Sequence, residues 1–245
     1  VGCIFISLDI IIIISLHLNK EKVKSFNMTK IFEYNPPDVH TDILHHDSQI
    51  MVVNKPSGLL SVPGKGEHLS DCVISRVQKI FPDALLVHRL DLETSGIMLF
   101  AMTRHAQRHL GLQFEKRQIK KNYIARVWGH IEEKTGEIDL PLIVDWPNRP
   151  RQKICHETGK SAFTKWRVLR RDNISTRVRL TPTTGRSHQL RVHMLSTGHV
   201  ILGDKLYSDG DALNASERLL LHAESIKLRH PEGGKGVVFK SACPF

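Results

Sequence analysis

Val87-His88-Arg89-Leu90-Asp91-Leu92-Glu93-Thr94-Ser95-Gly96 is the stretch on which the reading turns. It sets a carboxylate beside an arginine in a polar turn. Leu85-Leu86-Val87 precedes it and Ile97 to Met102 follows, and both runs read as apolar strands. An aspartate in a turn more often caps its own backbone than does chemistry. Asp91 alone is therefore a weak signal, and the segments on either side must decide.

Outward from that loop the chain alternates short apolar runs with turn residues. Asn35-Pro36-Pro37 is extended, and Ile50 to Val53 is a strand stopped by Lys55-Pro56-Ser57-Gly58. Ser70 is the expected N-cap of a helix carrying Val73, Ile74, Val77, Ile80 and Phe81 up to Pro82. Thr103 caps a basic helix running to about Arg117, and Tyr123 to Trp128 is a strand. Further strands are expected near 138–144, 162–169, 176–180, 219–228 and 237–240. Ser187 to Ser196 has helical spacing and ends before Gly198, in the position of a C′ glycine. Strands outnumber helices and follow one another directly, which predicts an α+β protein with a mostly antiparallel sheet.

The 245 residues carry 35 Lys+Arg against 25 Asp+Glu, a formal charge of +10, with 40% hydrophobic residues. That balance fits a folded globular chain, excludes a collagen-like or multi-pass membrane protein, and favours a polyanionic partner. Cys3, Cys72, Cys155 and Cys243 never form a C-x-x-C pair, so neither a zinc ribbon nor a dense disulfide framework is expected. Thr158-Gly159-Lys160-Ser161 lacks the first glycine of a phosphate loop, because Ile154 stands there. Gly64-Lys65-Gly66 starts a dinucleotide fingerprint that Leu69 breaks. His88-Arg89-Leu90-Asp91 is one residue too long for a kinase catalytic loop. His105 and His109 stand four apart on a helix with no evident third metal ligand.

The N-terminal stretch is mostly apolar from Cys3 to Leu18, too short for a membrane span and interrupted by Asp9. Residues 1–27 read as a non-native extension, with the chain proper starting at Met28 and 28–245 forming one catalytic domain. The extension holds three lysines and two acidic residues, so the basic excess belongs to the rest of the chain.

Two more clusters join Asp91. Lys120-Lys121-Asn122-Tyr123 puts a phenol after a basic pair, and Thr184 to His193 opens a helix dense with cations. With Val53 to Gly58 before them and Leu219-Leu220-Leu221-His222-Ala223 after, these segments resemble the RluA family of RNA pseudouridine synthases. The likeness runs in the same order from about Asn35 to Phe245. Asp145-Trp146-Pro147-Asn148-Arg149-Pro150 and His88 to Asp91 resemble members acting on both 23S rRNA and tRNA anticodon stem-loops.

The resemblance implies a pseudouridine synthase fold, a mostly antiparallel mixed sheet with flanking helices and a central active-site cleft. It implies isomerisation of uridine to pseudouridine, with Asp91 as catalytic aspartate, Tyr123 as active-site tyrosine and Arg191 as the arginine paired with Asp91. An arginine there would favour the charged carboxylate. Leu221 would line the uracil pocket, and Arg89, Arg186 and His188 would contact RNA. Lys120, Lys121, Arg149, Arg151 and Lys153 would add sequence-independent attraction. The reaction is an isomerisation, so neither cofactor nor metal is expected. The expected partner is RNA rather than a membrane, and the expected setting is a cytoplasmic monomer. An idle RNA-binding or ribosome-assembly protein on the same scaffold stays open as the alternative.

Overall fold

The computed structural model describes residues 33–245, and the expectations for residues 1–27 lie outside them. Residues 36–245 form one compact unit.

Its main sheet has ten strands: β1 Asp42–His46, β2 Ile50–Lys55, β3 Leu85–Leu86, β4 Ser95–Ala101, β5 Lys120–Trp128, β6 Thr135–Asp139, β9 Phe163–Arg171, β10 Ser175–Pro182, β11 Leu221–Arg229 and β12 Gly236–Lys240. β7 Leu142–Val144 and β8 Gln152–Ile154 make a separate hairpin. The helices are α1 Val73–Ile80, α2 Arg104–Glu115, α3 Gln189–Ser196 and α4 Gly210–Asn214. The sheet runs β1-β2-β4-β11-β5-β10-β9-β6, with β3 on β4 and β12 on β11. Its pairs are antiparallel except β4 with β11.

The two halves of the sheet are packed differently, and the sequence shows why. All seven residues of β4 are buried. Ile97, Leu99 and Ala101 meet Ala106 and Leu110 of α2. Met98 and Phe100 face the other way, onto Val73, Ile74 and Val77 of α1. A strand covered on both faces reads as a continuous apolar run. In β10 buried Val178 and Leu180 alternate with half-buried Arg177, Arg179 and Thr181, so only one face is covered. α3 supplies that cover, with Leu190 and Met194 against Ala125, Val127 and Leu180.

Two local expectations need correction. Ser70 does not cap α1. It closes a single 3-10 turn, Glu67–Leu69, with helical dihedrals of its own, while the extended residue at the helix start is Cys72. Ser75 Oγ accepts the Cys72 N–H at 3.0 Å and so performs the cap from inside the helix. Residues 138–144 are not one strand either. β6 pairs with β9 and β7 with β8, and the chain changes sheets between them around Pro141, which has no N–H to continue a ladder.

One parallel contact positions the site. His222 pairs with Ser95 and Ala223 with Gly96, while Ala223 also pairs with Tyr123 on the other side. The β3–β4 turn, the start of β11 and the middle of β5 are thereby drawn together. Gly96 permits this approach: its φ is +108°, and a Cβ would stand 2.4 Å from the Ala223 carbonyl oxygen.

Candidate active site

A cleft of about 510 Å³ opens where these three elements meet α3. Asp91, Tyr123, Arg191, Arg89, Arg186, His188 and Leu221 all line it, so the fold gathers every site residue expected from the sequence. The volume suits one nucleoside with its phosphates. His88, Lys121 and Phe114 line the same cleft.

The Asp91 loop is pinned from below by the turn after β2. Lys55 Nζ donates to the carbonyls of Pro56 and Leu92, each at 2.8 Å. Ser57 Oγ donates to Glu93 O at 2.7 Å, and Gly58 N–H donates to Leu92 O at 3.0 Å. Ser61 Oγ donates to Leu90 O at 2.6 Å and accepts the Leu90 N–H at 3.1 Å. Residues 90, 92 and 93 are held by backbone bonds while the Asp91 side chain faces the cleft. The Lys55-Pro56-Ser57-Gly58 motif thus fixes the loop.

Burial lowers the Lys55 pKa to about 7, against the raising effect of Asp91 and Glu93. A neutral amine keeps two N–H groups, enough for both carbonyls. His88 accepts the Leu99 N–H through Nε2 at 2.9 Å, and burial holds its pKa near 3, so it is a neutral structural ring.

Arg191 Nη1 lies 3.7 Å from Asp91 Oδ2, so the expected pair exists, but it is not the shortest contact of the guanidinium. Nε and Nη2 donate to Asp204 at 2.7 and 2.6 Å. Burial opposes the Arg191 charge, and the bond to Asp204 more than offsets it, with Asp91 adding a smaller attraction. Asp204 is completely buried and also accepts the N–H groups of Leu206 and Tyr207. Tyr207 packs its ring 5.0 Å from the Arg191 guanidinium, and its Oη bonds His188 Nδ1 at 2.7 Å. His188 takes a left-handed conformation, φ 52°, as it enters α3. For a residue with a Cβ that is a strained geometry, and here it coincides with the bond to Tyr207.

Asp204 and Tyr207 escaped sequence reasoning. Their signal was thin: one acid after Gly203 at the end of the apolar run Val200-Ile201-Leu202. Nothing local announces that its partner is 13 residues away on a helix.

Tyr123 is half-buried at the cleft floor. Burial first, and the Asp91 charge second, push its pKa well above the usual phenol value. The ring therefore offers a neutral flat face and a protonated hydroxyl. Lys121 Nζ donates to Thr184 O at 3.2 Å, and burial lowers its pKa to about 8. It is a specific wall residue, unlike the solvated charge that its neighbour Lys120 provides. Arg89 and Arg186 are exposed at the cleft lining, and Arg186 Nε donates to Ser161 O at 3.1 Å. Among the described residues no three His, Cys, Asp or Glu side chains cluster as metal ligands, and no helix is long and apolar enough to cross a membrane.

Known proteins resemble the chain over most of its length. A family model described as RNA pseudouridylate synthase matches residues 49–196. The dual-specificity RNA pseudouridine synthase RluA of Yersinia pestis is 56% identical over 204 residues, covering 83% of this chain and 99% of that protein. Its counterpart from Escherichia coli K12 is 54% identical over 215 residues, covering 86% and 98%. Among solved structures, human RNA pseudouridylate synthase domain containing 1 superposes with a TM-score of 0.72. It is 27% identical, over 86% of this chain and 87% of that one. With that model matching more than half of the chain and relatives 54–56% identical along most of it, the chain belongs to the RNA pseudouridylate synthase family.

Proposed function

We propose that this protein isomerises uridine to pseudouridine in two classes of structured RNA, ribosomal RNA and tRNA stem-loops, with Asp91 as the catalytic carboxylate. The observation that carries the reading is the convergence of Asp91, Tyr123 and Arg191 in one nucleoside-sized cleft. An idle RNA-binding scaffold would have no use for a carboxylate facing an anionic ligand.

A stacked uridine cannot turn, so it must leave the helix, at about a few kcal/mol. Tyr123 offers the extruded uracil a face to stack on, and Leu221 closes the apolar side. Asp91 meets the positive charge that grows at C1′ as the N1–C1′ bond breaks, as carboxylates do in glycoside cleavage. The uracil then rotates, C5 bonds to C1′, and the C5 proton leaves while N1 gains one. Atoms balance with no redox step. A protonated Tyr123 hydroxyl is suited to hydrogen-bonding the turning base rather than to removing that proton.

Arg89, Arg186 and His188 take the flanking phosphates, and the overall positive charge adds affinity that falls as salt rises. Dual specificity is carried over from the RluA relatives, supported by 53–56% identity across most of the chain. The working form is proposed to be a monomer. The test is tritium release from [5-³H]uridine-labelled transcripts of a 23S rRNA fragment and a tRNA anticodon stem-loop. Release from both is expected. Release from one alone removes the dual assignment, and release from neither removes the function.

A further inference from the structure

The β7–β8 hairpin carries an aromatic ring that the cleft chemistry does not use. Trp146 is 63% exposed, more than any other large apolar residue among those described. Its turn is built to hold it out. Asp145 N–H donates to Arg151 O at 2.9 Å, Arg151 N–H donates to Asn148 O at 3.0 Å, and Asn148 Nδ2 donates to Asp145 Oδ2 at 2.9 Å. The Arg149 guanidinium lies 4.4 Å from the indole centroid, a cation stacked on one side of a ring otherwise in water.

One exposed apolar side chain needs no explanation. This one stands on a hairpin that is tied through Tyr207 to residues of the cleft lining. Gln152 N–H donates to Tyr207 Oη at 2.7 Å, and the Arg151 guanidinium lies 5.2 Å from the Tyr207 ring. Tyr207 is the residue that His188 bonds and Arg191 stacks upon, so it stands between the hairpin root and two residues of the cleft lining. Between hairpin and α3 lies a recess of about 200 Å³ lined by Asp145, Arg151, Lys153, Leu195 and Tyr207, with Lys153 Nζ 3.8 Å from Asp145 Oδ1. A flat ring, a guanidinium plane and two further cations match an unpaired nucleotide: the base stacks and the phosphates meet the cations. Extruding a uridine leaves its neighbours with one stacking face uncovered, which supplies such a base next to the cleft.

We propose that the Trp146–Arg149 turn is a second base-stacking station, which takes an unstacked nucleobase of the RNA whose uridine occupies the cleft. Arg151 meets that nucleotide's phosphate in the recess, and Lys153, beside Asp145, adds to the local positive charge. The inference rests on the reading of the chain as an RNA uridine isomerase. It adds a specificity element: RNAs able to present a second unpaired base to this hairpin bind more tightly than uniform duplexes.

The test compares the full chain with Trp146→Ala and Trp146→Tyr on a tritiated anticodon stem-loop transcript. Trp146→Ala is expected to raise Kd and KM by about 5- to 150-fold, with kcat within about twofold, and Trp146→Tyr to recover most of the loss. RNA should also quench a component of the tryptophan fluorescence that Trp146→Tyr lacks. KM within twofold of wild type for Trp146→Ala, with no such quench, overturns the proposal and leaves the ring to a protein partner. A fall in kcat at unchanged KM overturns it too, since the hairpin would then only prop Tyr207. Quenching by RNA in a wild-type protein that releases no tritium would sink the isomerase reading and leave the station standing. Tritium release unaffected by Trp146→Ala would do the reverse.

Discussion

Replacing Asp204 with asparagine isolates the buried cation that stands behind Asp91. The wild-type carboxylate accepts four hydrogen bonds, two from Arg191 at 2.6 and 2.7 Å and two from the N–H groups of Leu206 and Tyr207. Asp204→Asn keeps the volume and one acceptor. Its amide N–H₂ meets the Arg191 Nε–H donor to donor, and the guanidinium, 3% exposed, loses its nearest counter-charge. Breaking a buried pair from one side costs about 3–5 kcal/mol, a large fraction of a typical domain's stability. Urea unfolding should therefore lose that amount, and tritium release at a temperature where the variant is folded should fall, because Arg191 is no longer aimed. The double change Arg191→Met with Asp204→Leu should regain much of the stability and none of the activity. Glu224→Gln, which removes the partly exposed partner of Arg179, should cost under about 1 kcal/mol. An Asp204→Asn protein within about 1 kcal/mol of wild type would refute the claim that this pair orders the site.

Three shorter expectations follow from the same geometry. Lys55 binds its proton near pH 7 folded and near 10.5 unfolded. The unfolded state thus holds more protons between those values, and stability should rise with pH there. The wild-type protein should gain on Lys55→Met by about 1.4 kcal/mol per pH unit across that window in urea titrations; a pH-independent difference would contradict this. Gly96→Ala must place a Cβ against the Ala223 carbonyl at a positive φ. It should cost at least about 2 kcal/mol and lower activity, and a neutral effect in thermal unfolding would count against the β4–β11 contact. Arg89→Ala should weaken RNA binding and reduce the slope of log K against log salt by about one, which filter binding at several salt concentrations checks.

The strands were legible where burial leaves a simple signature. Ile50 to Val53 and Ile97 to Met102 are apolar throughout because helices cover both faces of β2 and β4. Thr103 capped its helix as its position implied, accepting the Ala106 N–H at 3.0 Å. The failures share a cause: local signals serving a different local structure or a distant partner. Ser70 has the chemistry of an N-cap but is spent on the 3-10 turn before α1. β8, written Gln152-Lys153-Ile154, pairs only with β7 and shows no apolar pattern. At the site, Asp91, Tyr123 and Arg191 stood in recognisable segments. The groups that hold Arg191 did not, because Asp204 and Tyr207 acquire their meaning only when the loop after Gly203 folds against α3.

The most direct measurement is single-turnover tritium release by Asp91→Ala, made beside an RNA-affinity measurement on the same preparation. The Asp91 carboxylate lies 3.7 Å from Arg191. Its loop is held through the backbone, with Asp91 O accepting the Thr94 N–H and residues 90, 92 and 93 bonded to the turn after β2, so truncating the side chain leaves these bonds in place. The account predicts that tritium release disappears while RNA affinity stays within a few-fold of wild type. Release at a rate near wild type, or affinity lost in parallel with a folded protein, would contradict the assignment of Asp91 as the carboxylate that meets C1′.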